Sequence, residues 1–121
     1  MTQIVGCGRT VAGGHVAYDI QWDHDPAGKV VRWVMEVGSP DASETVRLVH
    51  ELVDGRPSEQ YVEDVASGRR TPVDGDADQR DQEITVRFPL DVVGVAVEWP
   101  AWRAVLVVDG EEASSMVVPT G

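Results

Sequence analysis

Cysteine is nearly absent: Cys7 stands alone, so no intrachain disulfide can form and no cysteine-type zinc site exists. Lysine is equally scarce, Lys29 being the one lysine beside nine arginines. Basic residues of both kinds number 10 against 21 acidic ones, for a net charge of −11. A surface this acidic repels phosphate, which argues against nucleic-acid and anionic-membrane partners. No apolar run approaches a membrane span. Met1 is followed by polar and small residues, so no signal peptide is read and the cytoplasm is the default compartment. Ile4-Val5-Gly6-Cys7 matches a lipoprotein cleavage box, but six residues cannot supply the basic and apolar stretches that precede one. A secreted or lipoprotein origin would require an altered start.

Catalytic motifs are missing as well. There is no Gly-x-Ser-x-Gly elbow, no His-Glu-x-x-His and no glycine-rich phosphate loop. His15, His24 and His50 fall on separate elements, and Cys7 lacks a neighbouring base. The chain is not read as an enzyme.

What is abundant is valine: 23 residues, against four Leu and three Ile. Val is stiff at χ1 and packs well on a pleated sheet, so the composition leans to β. A chain of 121 residues with this apolar content makes one domain, residues 1–121.

Alternation locates the strands. Val16, Tyr18, Ile20 and Trp22 share one parity, and Val31, Trp33, Met35 and Val37 share another after the turn Asp25-Pro26-Ala27-Gly28. Asp41–Leu52 satisfies helix spacing or strand spacing; Val and Thr crowd a helix, which favours a strand with Val46, Leu48 and Leu52 inward and His50 between them. Asp54-Gly55 then predicts a tight turn into Tyr61–Ala66, and residues 67–83 read as a polar loop. Ile84, Val86, Phe88 and Leu90 alternate, a single helical turn or a tight loop follows at Asp91–Gly94, and Trp102, Ala104, Leu106 and Val108 line the next strand. Ser115–Val118, stopped by Pro119, and an N-terminal strand near Gln3–Val11 complete seven or eight strands. That number predicts an all-β, two-sheet antiparallel β-sandwich. Its core should hold Tyr18, Ile20, Trp22, Trp33, Met35, Ile84, Val86, Phe88, Trp102, Leu106 and Val108.

The run Ile84-Thr85-Val86-Arg87-Phe88-Pro89-Leu90-Asp91-Val92-Val93-Gly94, followed by Trp102-Arg103-Ala104 and Val108-Asp109-Gly110, resembles the C-terminal half of DOMON-like and family 9 carbohydrate-binding-module-like sandwiches. The resemblance covers roughly the C-terminal third, together with the strand–Asp-Gly–strand rhythm before it. It implies an immunoglobulin-like or jelly-roll topology and the binding of sugars or haem. The Met and His ligands that serve haem in those families are not recognisable here, so no cofactor is assigned.

Two features invite a site. Asp74, Asp76 and Asp78, with Asp81 and Glu83, place carboxylates at alternate positions of a loop, as Ca²⁺ loops do. Gln79 stands where an EF-hand needs glycine and Thr85 where it needs a bidentate glutamate. A solvated acidic loop explains the same residues, so no metal is assigned; Asp23-His24-Asp25 with Gly28 is a poorer candidate, already explained as a turn. Trp99 differs in parity from Trp102 across Pro100-Ala101. It either faces outward, where its ring can stack on a sugar or a partner's side chain, or plugs an open end of the sandwich. The functional expectation is a non-catalytic binding or interaction domain for a protein or carbohydrate ligand, with Trp99 as its binding residue. The alternative is an assembly subunit that forms a homodimer through strand edges.

Overall fold

The computed structural model describes residues 2–118, without the side chain of Val118. Two antiparallel sheets pack face to face, as expected of an all-β sandwich. Among the described residues ten strands form: β1 (Ile4–Ala12), β2 (His15–Trp22), β3 (Val30–Gly38), β4 (Thr45–Val53), β5 (Arg56–Asp64), β6 (Arg69–Pro72), β7 (Ala77–Arg80), β8 (Glu83–Pro89), β9 (Ala101–Val108) and β10 (Glu111–Val118). The smaller sheet runs β1-β2-β8-β7 and the larger β10-β9-β3-β4-β5-β6. The chain crosses between sheets after β2, after β6 and after β8. The last crossing carries the one-turn helix α1 (Leu90–Val93) and a 3₁₀ turn at Gly94–Glu98.

Turn chemistry sets the registers. Asp54 (φ 52°) and Gly55 (φ 78°) both take left-handed backbone, as do Asp109 (φ 50°) and Gly110 (φ 86°). Two consecutive positive φ angles twist a hairpin in the sense its strands require, and Asp-Gly is the cheapest pair to supply them. The registers then follow, Val53 against Arg56 and Val108 against Glu111.

The core lies where period-2 parity places it. Ten of the eleven expected residues are buried, and Val108 is partly buried against them. Trp22 stacks on Trp33 across the two sheets, with centroids 4.5 Å apart, and Tyr18 meets Trp102 edge-on at 5.2 Å. The Trp22 indole N–H donates to Asp25 Oδ1 at 2.8 Å. The Tyr18 hydroxyl, by contrast, is buried without a hydrogen-bond partner among the described residues. Burial pushes that phenol up, and the Arg9 guanidinium pulls it part of the way back.

Several expectations need correction. Residues 67–83 are not one loop: they contain β6 and β7, which raises the strand number to ten. Both strands are four residues long and mostly exposed, so alternation could not reveal them; they form because β5 and β8 offer free edges. β5 begins at Arg56 rather than Tyr61, and β10 at Glu111 rather than Ser115. Pro119 lies outside the described residues.

The outer face of the larger sheet is also more buried than its sequence suggests. Val34, Val49, Tyr61 and Val105 form a second apolar cluster there. Arginine–glutamate pairs cover it: Arg32–Glu51 at 2.8 Å, Arg47–Glu36 at 3.0 Å, Arg103–Glu36 at 3.1 Å and Arg70–Glu63 at 3.2 Å. Burial alone would raise the Glu36 carboxyl; hydrogen bonds from Arg47 and Arg103 outweigh it, and its pKa lies below the ordinary value. With Glu112 beside Arg103, four arginines meet four glutamates, so the lattice is neutral and the charge of −11 resides elsewhere.

Candidate functional site

β5 is nine residues long, but β6 pairs only with Tyr61–Asp64. At Pro72 the chain leaves the larger sheet and crosses to β7 in the smaller one. The side of the sandwich therefore carries a notch of about 560 Å³, bounded by the crossover and the first half of β5. His50, Pro57, Tyr61, Arg70, Pro72 and Val73 are among its walls. Cavities of this volume suit a small ligand or one large side chain.

Its polar centre is a joint between the sheets, built around Gln60. Gln60 and His50 are opposed across β5 and β4 and are 4% and 2% exposed. The Gln60 side-chain amide donates from Nε2 to the Arg87 carbonyl on β8 at 2.7 Å. Its Oε1 accepts from the Asp76 backbone N–H at 3.2 Å and faces His50 Nδ1 at 2.9 Å. Both backbone partners fix the orientation of the amide, because the carbonyl must receive a donor and the N–H must receive an acceptor. Oε1 is therefore the oxygen, and His50 must carry its proton on Nδ1. Nε2 is left as the acceptor nitrogen, without a hydrogen-bond partner among the described residues, on a ring that lines the notch. Burial lowers the His50 pKa, and the Gln60 hydrogen bond offsets part of the shift, so the ring is held neutral.

The crossover is latched around this joint. Val73 N–H donates to the Gln60 main-chain oxygen at 2.9 Å, and Arg87 N–H donates to the Asp76 oxygen at 2.8 Å. On the rim, the Arg70 guanidinium sits 4.5 Å above the Tyr61 ring and pairs with Glu63.

Trp99 is elsewhere. It is 8% exposed and joins the main core, walling a smaller hollow with Val46, Val62, Val93 and Ala96. Its backbone oxygen accepts from Arg9 Nη1 at 2.9 Å. Trp99 thus plugs the end of the sandwich, and the outward-facing alternative does not describe this ring. The other aromatics are buried too, from fully covered Tyr18 and Phe88 to Tyr61 at 6%.

The acidic loop is spread apart. Arg87 binds Asp76 at 3.1 Å and Asp78 at 2.9 Å, while Glu83 accepts from Gln21 at 2.9 Å. Among the described residues, no three His, Cys, Asp or Glu side chains gather closely enough to hold a metal ion. At Asp23-His24-Asp25 the carboxylates serve the turn: Asp23 caps Gln3 and His24 backbone N–H groups, and Asp25 takes the Trp22 indole.

Sequence reasoning placed His50 inward on its strand but gave it no role, and it missed Gln60. The available signal was a histidine on an apolar face, which by itself marks a core position as readily as a site. No protein-family profile, curated protein or solved structure matches the chain.

Proposed function

We propose that this domain is a non-catalytic binding or interaction module and that it takes its ligand in the notch beside β5. One observation carries the reading: a buried, neutral imidazole, fixed in one tautomer by Gln60, lines a half-open cavity with Nε2 unengaged. The ligand is a protein segment or a carbohydrate that offers a hydrogen-bond donor to Nε2 and apolar surface to Pro57, Pro72 and Val73. Gln60 orients the ring without the basicity a carboxylate would add, which suits a recognition contact better than a general base. The resemblance of residues 84–110 to DOMON-like and family 9 carbohydrate-binding-module-like sandwiches, with their immunoglobulin-like or jelly-roll topology, supports the same class of work. Carbohydrate is the less favoured ligand, because every aromatic ring here is largely buried and none offers a free stacking face.

Peptide and glycan arrays, probed with the wild-type domain and with Val73→Trp, test this reading. The wild type should bind members of one array, and the variant, its notch filled, should lose them while melting as a folded protein. Arrays without a binder, or binders that ignore Val73→Trp, would contradict it.

The alternative, a subunit assembled with a second copy through strand edges, is favoured by one feature: the uncharged half of β10.

A further inference from the structure

Each sheet ends in two edge strands, and an open edge invites pairing unless something blunts it. β6 is four residues long and carries Arg69, Arg70 and Pro72. β7 is equally short and carries Asp78 and Arg80. β1 is long, but its register breaks between Ile4 and Gly6, and Gly6 and Gly8 weaken it further. β10 has a register break between Glu112 and Ser114; beyond it, Ser114-Ser115-Met116-Val117-Val118 contains no charge, glycine or proline.

A second observation falls on β10 and on β1, the strand beside it. Among the described residues five large aliphatic side chains are exposed, and three of them lie on the neighbouring strands β1 and β10: Val5 (57%), Val11 (53%) and Val117 (71%). The two strands flank each other across the sandwich, and Ile4 N–H donates to Ser114 Oγ at 3.1 Å.

We propose that the β1–β10 side is a self-association surface and that its occupant is a second copy of this chain, paired antiparallel along Ser114–Val118 of β10. The proposal rests on the assembly alternative, and names its surface and register. A two-fold axis through Met116 brings this stretch against its own reverse, so each copy supplies the edge the other lacks. Residues 115 and 117 then meet on one face, as antiparallel pairing demands, and Val117 is covered. The same axis keeps Glu111 and Glu112 of the two copies at opposite ends of the ladder. Charge elsewhere opposes the union, since each copy carries −11. Dimerisation should therefore strengthen as salt shortens the Debye length, from about 10 Å at 0.1 M to about 3 Å at 1 M.

Sedimentation velocity on the full chain, across concentration and salt, tests the proposal with two variants. Val117→Asp puts a charge on the edge; Val95→Asp puts the same charge on another exposed valine, in the 3₁₀ turn. The wild type should move from monomer towards dimer with concentration, more readily at high salt. Val117→Asp should raise the dissociation constant at least about tenfold over Val95→Asp. Amide exchange across Ser114–Val118 should slow with wild-type concentration. A monomer under all conditions would overturn both the proposal and the assembly alternative. A dimer equally sensitive to both variants, with unchanged exchange at Ser114–Val118, would overturn the β10 surface and leave assembly standing.

Discussion

The side-chain amide of Gln60 sets the tautomer of His50. Its Oε1 lies 2.9 Å from Nδ1, and because backbone groups of Asp76 and Arg87 leave that amide one orientation, the proton on the ring has one place to be. The same amide joins three strands and the crossover, so the tautomer of His50 and the cohesion of the two sheets rest on one residue.

Acid should weaken the fold through His50. Its folded pKa lies below the ordinary 6.5, so between the two values the unfolded chain binds the extra proton. The stabilisation is complete above about pH 6.5 and is lost as pH falls towards the folded value. Urea midpoints from about pH 8 to 5 should show wild type losing stability relative to His50→Leu as pH drops. Parallel pH profiles for the two proteins would mean that the ring is not held neutral.

Gln60→Leu should cost about 2–4 kcal/mol, because more than one buried group loses its partner at about 1–3 kcal/mol each. The damage has a local signature. Asp76 N–H, which donates to the lost side chain, should exchange faster, while Val73 N–H, which donates to the backbone of residue 60, should keep its protection. Chemical denaturation and residue-resolved hydrogen exchange read both effects. Equal acceleration at Val73 and Asp76 would indicate general loosening rather than a severed bridge.

Much of this fold was legible because a strand with one buried face writes its parity into the sequence. Trp22, Trp33, Phe88 and Leu106 announce themselves that way, and Asp54-Gly55 and Asp109-Gly110 mark their turns. β6 and β7 were not legible: short, exposed strands are specified by the edges they meet rather than by their own residues. The outer cluster of Val34, Val49, Tyr61 and Val105 was hidden for a related reason, since its cover consists of arginines and glutamates that read as solvated. The notch was invisible because residues 50, 60, 73 and 76 come together only through the crossover.

Trp99→Ala should destabilise the domain by about 3–5 kcal/mol, the cost of emptying a buried aromatic position. The end of the sandwich, where Trp99 packs with Val93 and Ala96, loses its plug. Thermal melting checks this, and a melting temperature within experimental error of wild type would return Trp99 to the surface.

Calcium should do no more than magnesium. Asp76 and Asp78 are engaged by Arg87, and no shared cation position forms among the described carboxylates. At equal ionic strength both ions should raise the melting temperature slightly and alike, by screening repulsion among 21 acidic side chains. A calcium-specific rise that a chelator reverses would show the loop rearranging around the ion.

The most direct test of the notch is the imidazole nitrogen spectrum of His50, recorded by long-range ¹H–¹⁵N correlation at neutral pH, alone and with any array binder. The expected result is a neutral ring protonated on Nδ1, whose Nε2 resonance moves when the binder is added. A ring protonated on Nε2, or an Nε2 resonance indifferent to every binder, would contradict the assignment of this notch as the site.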